Sequence, residues 1–121
     1  MKQNLVKDKS FAFAIRIVKL YRMLQKEKNE YVLSKQMLRS GTVVGALVRE
    51  SEHAQSKADF INKLSIALKE ANETEYWLML LHETEYLSDI EYASIATDCK
   101  EMLKLLISIV KTTKQSTNAN T

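Results

Sequence analysis

The 121-residue sequence contains no proline, two glycines and one cysteine. With so few residues that end helices or form tight turns, the chain favours long helices over a sheet. The single Cys99 excludes an internal disulfide framework and a zinc site built on cysteines. No apolar run approaches the ~20 residues that span a bilayer, and basic residues interrupt any apolar segment of an N-terminal signal peptide. We therefore expect a soluble, cytoplasmic protein without a membrane partner.

Apolar residues recur with the spacing of amphipathic helices along most of the chain. This spacing predicts four helices and then a disordered polar tail, at about residues 10–28, 31–54, 56–84, 88–111 and 112–121. Ser56 with Asp59, and Ser88 with Glu91, have the spacing of helix N-terminal caps. Four helices joined by short turns favour antiparallel neighbours. The expected fold is all-α: an up-down-up-down antiparallel four-helix bundle that forms a single domain.

The third predicted helix carries polar residues on the face that should point into the core. Apolar residues at helical spacing, such as Leu64 and Leu78, define this face, yet Glu75 and His82 lie within the same arc. A carboxylate on a core face needs a hydrogen-bonding partner, since burial otherwise disfavours its charged form. Glu75 is therefore either a functional polar site in the bundle or, as we favour, a structural partner of a Tyr, Ser or Arg from the first two helices.

Surplus apolar residues lie outside the core faces of the third and fourth helices. One group lies almost opposite the core face of the third helix, and another forms a second stripe on the fourth. A subunit interface explains these residues better than burial within so short a chain. The predicted interface residues of a homo-oligomer are Ile66, Trp77, Leu80, Ile95, Met102 and Leu105.

Positive charge is concentrated in the first helix. Residues 1–28 contain eight lysines and arginines and two acidic residues, a net charge of +6, whereas the whole chain carries +3. Four of these cations are three, three and four residues apart and so form one stripe, which is suited to contacts with several phosphates of RNA or DNA. The predicted nucleic-acid-binding residues are Arg16, Lys19, Arg22, Lys26 and, as an extension on the second helix, Arg39 and Arg49.

The basic stripe has a second interpretation. Residues 56–87 contain three lysines and six acidic residues, a net charge of −3. The stripe is then a solvated helix face, or it forms salt bridges to this acidic region in a neighbouring subunit.

The histidines and the cysteine give no support to catalysis or metal binding. Glu50-x-x-His53 resembles half of a carboxylate-bridged two-metal site, but the other histidine, His82, has Met79 where the second half needs Glu. Cys99 lies on an apolar stripe without a neighbouring base in the sequence, which is typical of a buried, inert thiol. The sequence therefore predicts a protein that is not an enzyme and has no metal or cofactor.

Both glycines, Gly41 and Gly45, lie inside the second predicted helix, four residues apart. Each costs about 1 kcal/mol relative to alanine in a helix interior. Either another helix approaches closely at this point, or the helix has a local kink near residues 40–42.

Three segments of the chain, taken in succession, resemble one protein family. They are FAFAIRIVKLY, LRSGTVVGALVRESEHAQSKADF and LSIALKEANETEYWLMLLHETEYL, and the similarity runs from about Phe11 to Leu106. On these segments the chain is identified as a member of the 23S rRNA intervening-sequence protein family, also called four helix bundle protein. The resemblance implies a four-helix bundle that assembles as a homopentameric ring. It also implies a relationship to the accessory protein of diversity-generating retroelements, a pentamer that binds nucleic acid and a reverse transcriptase.

The chain departs from the family in its second helix. Many members have Ser-Ile and then Asn where this chain has Val43, Val44 and Leu47, so any role of that Asn does not carry over. Because many members are encoded by insertions in rRNA genes, the resemblance implies a connection with RNA. We expect a non-enzymatic oligomer that acts as an RNA-binding accessory protein; the alternative is a structural or adaptor oligomer that binds a protein partner.

Overall fold

The computed structural model describes residues 2–119 as four helices. They are α1 (Lys2–Lys28), α2 (Leu33–Ser51), α3 (Lys57–Glu83) and α4 (Asp89–Ala119). Each helix packs against the next, and α1 also packs against α4, so the four helices close into a ring around one core. The connecting turns are short, as antiparallel neighbours require. The predicted all-α four-helix bundle is confirmed, and none of these helices, within the described residues, has a segment apolar and long enough to cross a membrane.

The first helix begins eight residues earlier than the sequence predicted. Val6 has 1% of its surface exposed and continues the buried stripe formed by Ser10, Phe13 and Ile17 at intervals of four, three and four residues. The polar residues around Val6 hide this signal in the sequence. Burial of one apolar side chain stabilises by roughly 1.5–3 kcal/mol, which explains why the helix extends to include it.

The fourth helix continues to Ala119, whereas the sequence predicted a helix end near residue 111 and a disordered tail after it. The expectation of disorder is therefore wrong for residues 112–119, and residues 120 and 121 lie outside the described part of the chain. The segment is polar but contains neither glycine nor proline, so no residue in it ends the helix.

All four helices contribute large apolar side chains to the core. The residues with almost no exposed surface include Val6, Phe13, Ile17, Leu24, Met37, Val44, Leu64, Leu78, Leu81, Met102 and Leu106.

The core face of α3 differs from the predicted one. Its buried residues are Leu64, Ala67, Ala71, Thr74, Leu78 and Leu81. This three-four spacing is the heptad pattern, which drifts away from a straight 100° helical wheel over many residues. The polar residue in the core is consequently Thr74, and Glu75 and His82 lie at the edge with part of their surface exposed. The prediction that Glu75 and His82 are buried is wrong.

Thr74 is fully satisfied in its buried position. Its hydroxyl oxygen lies 2.8 Å from the Ser40 hydroxyl of α2 and 2.8 Å from the Glu70 carbonyl oxygen. Buried hydroxyls are tolerated when they are hydrogen-bonded, so this pair links α2 to α3 without a large desolvation cost.

The two glycines of α2 face α1. A Cβ atom on Gly41 would lie 2.9 Å from Cγ1 of the fully buried Ile17, whereas one on Gly45 would lie 3.4 Å from the Ser10 carbonyl oxygen. The structure therefore supports close helix approach as the reason for the glycines. The contact is tight at Gly41 and ordinary at Gly45.

The two glycines provide a matched test of this contact. We expect Gly41→Ala to make the protein less stable than Gly45→Ala by about 1–3 kcal/mol, because the new methyl group overpacks against Ile17. At Gly45 the gain in helix propensity, about 1 kcal/mol, is not opposed by a clash. Urea unfolding of both variants measures the difference, and equal stabilities would contradict the close contact.

A buried carboxylate caps the start of α2. Glu30 has 5% of its surface exposed, and its oxygens accept hydrogen bonds from the backbone N–H groups of Val32, Leu33 and Ser34 at 3.0, 2.6 and 2.9 Å. Burial alone would raise the pKa of this carboxyl, but the hydrogen bonds from Ser34, Leu33 and Val32 outweigh it and lower the pKa. These three N–H groups at the start of α2 have no carbonyl partner within the helix, and a residue that precedes the helix supplies their acceptors.

Replacing Glu30 by Gln should destabilise the bundle in a pH-dependent way. At pH 7 we expect a loss of about 1.5–3 kcal/mol, the range for hydrogen bonds to a charged group. Because folding lowers the pKa of Glu30, its contribution is complete above the unfolded pKa of about 4.3 and disappears as the pH falls through the lower folded pKa.

Urea unfolding from pH 7 down to pH 2.5 measures this effect. The gap between wild type and Glu30→Gln should narrow in acid. The exposed Glu27 at the end of α1 provides the control, since Glu27→Gln should have little effect at any pH. A gap that stays constant with pH would show that the Glu30 charge does not cap α2.

Candidate nucleic-acid interface

The six predicted nucleic-acid-binding residues divide into two groups in the structure. Those of the first group contact side chains of another helix, and those of the second are exposed without a salt bridge. Arg16 belongs to the first group. Its Nη1 atom lies 2.5 Å from Oδ2 of Asp98, and its guanidinium also donates to the carbonyl and hydroxyl oxygens of Ser94. Arg16 is thus fixed across the boundary between α1 and α4.

Arg39 is held in the same way between α2 and α3. Its Nη2 atom lies 3.2 Å from Oε1 of Glu70 and 2.6 Å from Oε2 of Glu73. Trp77 donates its indole N–H to the same Glu73 oxygen at 3.1 Å. The Trp77 hydrogen bond and the charge of Arg39 together lower the pKa of Glu73, against a smaller opposing effect of burial. The two carboxylates balance the positive charge of Arg39, and the hydrogen bond to Glu73 holds the Trp77 ring within the protomer.

Arg49 lies over an aromatic ring of α1. Its guanidinium carbon is 5.9 Å from the centre of the Phe11 ring, within the range of a cation–π contact. Arg49 remains exposed, so its guanidinium faces solvent at the boundary between α1 and α2.

The second group is formed by Lys19, Arg22 and Lys26, which we call the α1 stripe. All three are exposed, and within the described residues the structure gives none of them a salt bridge. Ile17 and Leu24 of the same helix are completely buried, and the stripe lies on the opposite side of the helix from them. It spans about 10 Å along the axis and points away from the bundle.

The other end of α1 has lost most of its positive charge to ion pairs. Lys7 lies 3.1 Å from Glu52, and Lys9 lies 2.7 Å from Glu101. The hydrogen bond and charge of Glu101 raise the pKa of Lys9. Among the α1 side chains that the structure describes, the cations without a salt bridge therefore lie in the C-terminal half, where the α1 stripe lies.

A groove runs between α1 and α4 beside the α1 stripe. Its volume is about 370 Å³, and Leu20, Met23 and Ile95 supply its apolar lining. Arg16, Lys19 and Glu91 supply its charged groups. The sequence did not predict this groove, because its lining comes from helices about 70 residues apart in the chain.

Two of the predicted interface residues are unavailable to a second subunit. Ile95 and Met102 have 2% and 1% of their surface exposed, because α4 packs against both α1 and α3 and buries both of its apolar stripes. The prediction is wrong for these two residues. Leu80 and Leu105 are half-buried, Trp77 is partly covered, and Ile66 is 36% exposed.

Other large apolar residues are more exposed than the predicted interface residues. Phe11 and Ile15 of α1 are 58% and 42% exposed, and Tyr76 and Met79 of α3 are 57% and 49% exposed. The signal was present in the sequence: Phe11 and Ile15 are four residues apart but lie outside the stripe of Phe13 and Ile17.

The polar residues at the edge of α3 face α4. The Nε2 atom of His82 lies 2.7 Å from Oδ1 of Asp89, and its ring stacks on Tyr92 with centres 4.3 Å apart. Burial raises the pKa of Tyr92, and the charges of Glu75 and Glu83 add to this effect. Glu75 therefore acts on α4, and the predicted partnership with helix 1 or 2 is wrong.

The sequence singled out Glu50-x-x-His53 and Cys99 as candidates for metal or thiol chemistry. Glu50 pairs with Lys63 at 3.3 Å, and the described residues contain no group of three metal-ligating side chains. Cys99 is completely buried, and its thiol donates weakly to the Ala71 carbonyl oxygen at 3.7 Å. Burial, with a smaller contribution from the charge of Glu75, raises the pKa of Cys99 to about 12.

The buried thiol gives a direct test of the packing between α3 and α4. At pH 8 we expect Cys99 to react with a thiol reagent at least about 100-fold more slowly in the folded protein than in denaturant. The thiolate is the reactive form, and burial both raises the pKa of the thiol and blocks access to it. Cys99 is the single cysteine, so absorbance of the released chromophore reports on it alone. Fast reaction of the folded protein would contradict its burial.

Comparison with known proteins gives a family match and similar solved structures. The family model described as 23S rRNA-intervening sequence protein matches residues 2–108. The chain is also similar to a protein of unknown function from the S23 ribosomal protein family of Bacteroides thetaiotaomicron, whose crystal structure was determined at 1.70 Å. The two are 65% identical with a TM-score of 0.91, over 92% of this chain and 99% of that one. No curated protein matches the chain.

Proposed function

The chain belongs to the 23S rRNA-intervening sequence protein family, and on that premise we propose that it is a non-enzymatic accessory protein that binds nucleic acid. The α1 stripe is the proposed contact surface, and RNA is the proposed ligand because the family name refers to 23S rRNA. The observation that carries the proposal is the set of three exposed cations on one helix face without an acidic partner in the described chain.

The pairing of two other predicted cations, and of two lysines near the start of α1, supports this assignment. Arg16, Arg39, Lys7 and Lys9 lie against carboxylates, so their charges are already balanced within the protomer. Cations on a helix face that contacts only solvent would be unpaired as well, so the lack of acidic partners does not by itself indicate binding. The alignment of three of them over about 10 Å is what favours a polyanion with regularly spaced charges.

The proposed site is smaller than the six residues that the sequence indicated. Lys19, Arg22 and Lys26 contact phosphates directly, and Arg49 adds positive potential from the neighbouring helix. Contacts of this kind position a protein on nucleic acid without reading its sequence. We therefore propose binding with little sequence preference through this surface.

Self-association would strengthen weak contacts of this kind. We propose a homo-oligomer, a pentamer by resemblance, in which several copies present the α1 stripe to one ligand and so raise its effective concentration. The exposed apolar side chains of α1 and of α3 form two separate patches, and they support this part of the proposal because exposed apolar patches are typical of interfaces.

The same apolar side chains favour a second candidate function. Phe11 and Ile15 lie on the outer part of α1, and Tyr76 and Met79 lie on α3. If they remain exposed in the assembled oligomer, the protein is an adaptor that binds another protein, and the stripe contributes only to solubility.

Substitution of the α1 stripe tests the leading proposal. We compare wild type with Lys19→Gln/Arg22→Gln/Lys26→Gln in fluorescence anisotropy titrations with structured RNA and duplex DNA at 50 and 200 mM salt. The variant should bind at least about tenfold more weakly. Its slope of log K against log salt should fall by about 2–3 for each engaged protomer, since each lost phosphate contact contributes about 0.7–0.9.

A second triple variant tests whether binding depends on where the three positive charges are removed or only on their number. Lys57, Lys100 and Lys111 are exposed and scattered over α3 and α4, so Lys57→Gln/Lys100→Gln/Lys111→Gln removes the same charge elsewhere and should retain most of the binding. Light scattering checks the mass of each protein in solution. Equal losses in both variants, or no binding by assembled wild type at 50 mM salt, would contradict the proposal.

A further inference from the structure

The groove between α1 and α4 borders the α1 stripe and differs from it in chemistry. Lys19 belongs to both surfaces, so the groove begins where the stripe ends on that side of α1. Its interior presents Leu20 and Met23, with the buried Ile95 beneath them, while charged groups lie around the groove. A phosphate chain along the stripe would therefore run beside an apolar recess of about 370 Å³.

We propose that this groove receives one unpaired base of a single-stranded nucleic acid. The inference rests on the proposed function, because it takes the phosphates to lie on the α1 stripe. It adds that the ligand is single-stranded at the point of contact. A base within a duplex is stacked and paired and cannot enter a recess on a protein surface, whereas an unstacked base in a loop or single strand can.

Arg16 is the group best placed to hold the base. Its guanidinium is fixed by Asp98 at 2.5 Å and by Ser94 at 2.8 Å, so little conformational entropy is lost when a ligand contacts it. Planar guanidinium groups stack on the faces of bases. The ion pair with Asp98 keeps Arg16 out of the phosphate-binding surface. It also fixes the guanidinium at the groove, where it can stack on a base.

With Arg16 already paired to Asp98, the carboxylate of Glu91 favours a base over a phosphate as the occupant of the groove. Glu91 lines the groove, and its Oε1 atom accepts a hydrogen bond from the Ser88 N–H at 2.9 Å, which fixes the carboxylate. A fixed carboxylate repels a phosphate or an acidic peptide, and it can accept a hydrogen bond from the amino or imino group of a base. The apolar lining likewise suits a base and leaves an anion poorly solvated.

The test combines a ligand change with a protein change. The ligands are a ten-nucleotide single-stranded RNA, the same backbone with all bases removed, and a duplex of the same sequence. The protein change is Met23→Gln, which keeps the length of the side chain and makes the groove polar without altering charge. Met23 is partly exposed, and glutamine is as good a helix former as methionine.

We expect wild type to bind the intact strand about fivefold to tenfold more tightly than the abasic strand, at the low end of what one stacked base contributes. Met23→Gln should lose most of this preference while its salt dependence stays unchanged, because the α1 stripe is intact. Its affinity for the abasic strand and the duplex should equal that of wild type. Met23→Leu, which keeps the groove apolar, should retain the preference.

Arg16→Lys provides a second, independent variant. Lysine keeps the positive charge opposite Asp98 but lacks the planar group. This variant should also reduce the preference for the intact strand, without a change in the salt slope. Circular dichroism of all three variants checks that the bundle is folded.

The outcomes separate this inference from the proposed function. Salt-sensitive binding with equal affinity for intact and abasic strands would contradict base binding in the groove. It would still support the α1 stripe as the phosphate-binding surface. The absence of any binding by wild type would overturn both. Binding of an acidic peptide that depends on Met23 would assign the groove to a protein partner and would equally overturn the inference.

Discussion

The contact between Ile17 and Gly41 sets the orientation of α1, and most of the surface depends on it. A Cβ atom at Gly41 would lie only 2.9 Å from the Ile17 side chain, so α1 can approach α2 this closely at one rotation. That rotation turns Arg16 towards α4 and leaves Lys19 and Lys26 facing away from the bundle. A buried apolar contact thus decides which basic residues find carboxylates and which remain unpaired.

The ion pairs at the helix boundaries matter more for position than for stability. Arg16 joins α1 to α4, Arg39 joins α2 to α3, and Lys63 pairs with Glu50 between α3 and α2. All are partly exposed, and such pairs contribute about 0–1 kcal/mol each. Their effect on the charge distribution is larger, since each pair balances one cation, and the pair of Arg16 with Asp98 leaves the α1 stripe without its N-terminal neighbour.

The sequence was sufficient for the fold because its signals are local. The two predicted caps are present: the Ser56 hydroxyl accepts from the Asp59 N–H at 3.0 Å, and Ser88 and Glu91 exchange hydrogen bonds. The site was only partly predictable because its contacts are distant in the chain. Arg16 meets Asp98 across 82 positions, and no helical pattern indicates which face of α4 it will find. The error at Glu75 has another cause, since the heptad drift moves the core to Thr74 over a helix of 27 residues.

The uneven charge along α1 also has a kinetic consequence. With Lys7 and Lys9 paired near one end and the α1 stripe free near the other, the unpaired positive charge of these residues lies towards the C-terminal end of α1. A polyanion within about a Debye length of the stripe, about 8–10 Å at physiological salt, would be attracted and oriented by this local field before contact. Electrostatic orientation of this kind accelerates encounter and weakens as salt rises. If a polyanion binds the α1 stripe as proposed, the arrangement of ion pairs within the folded chain affects the rate of its capture as well as its position.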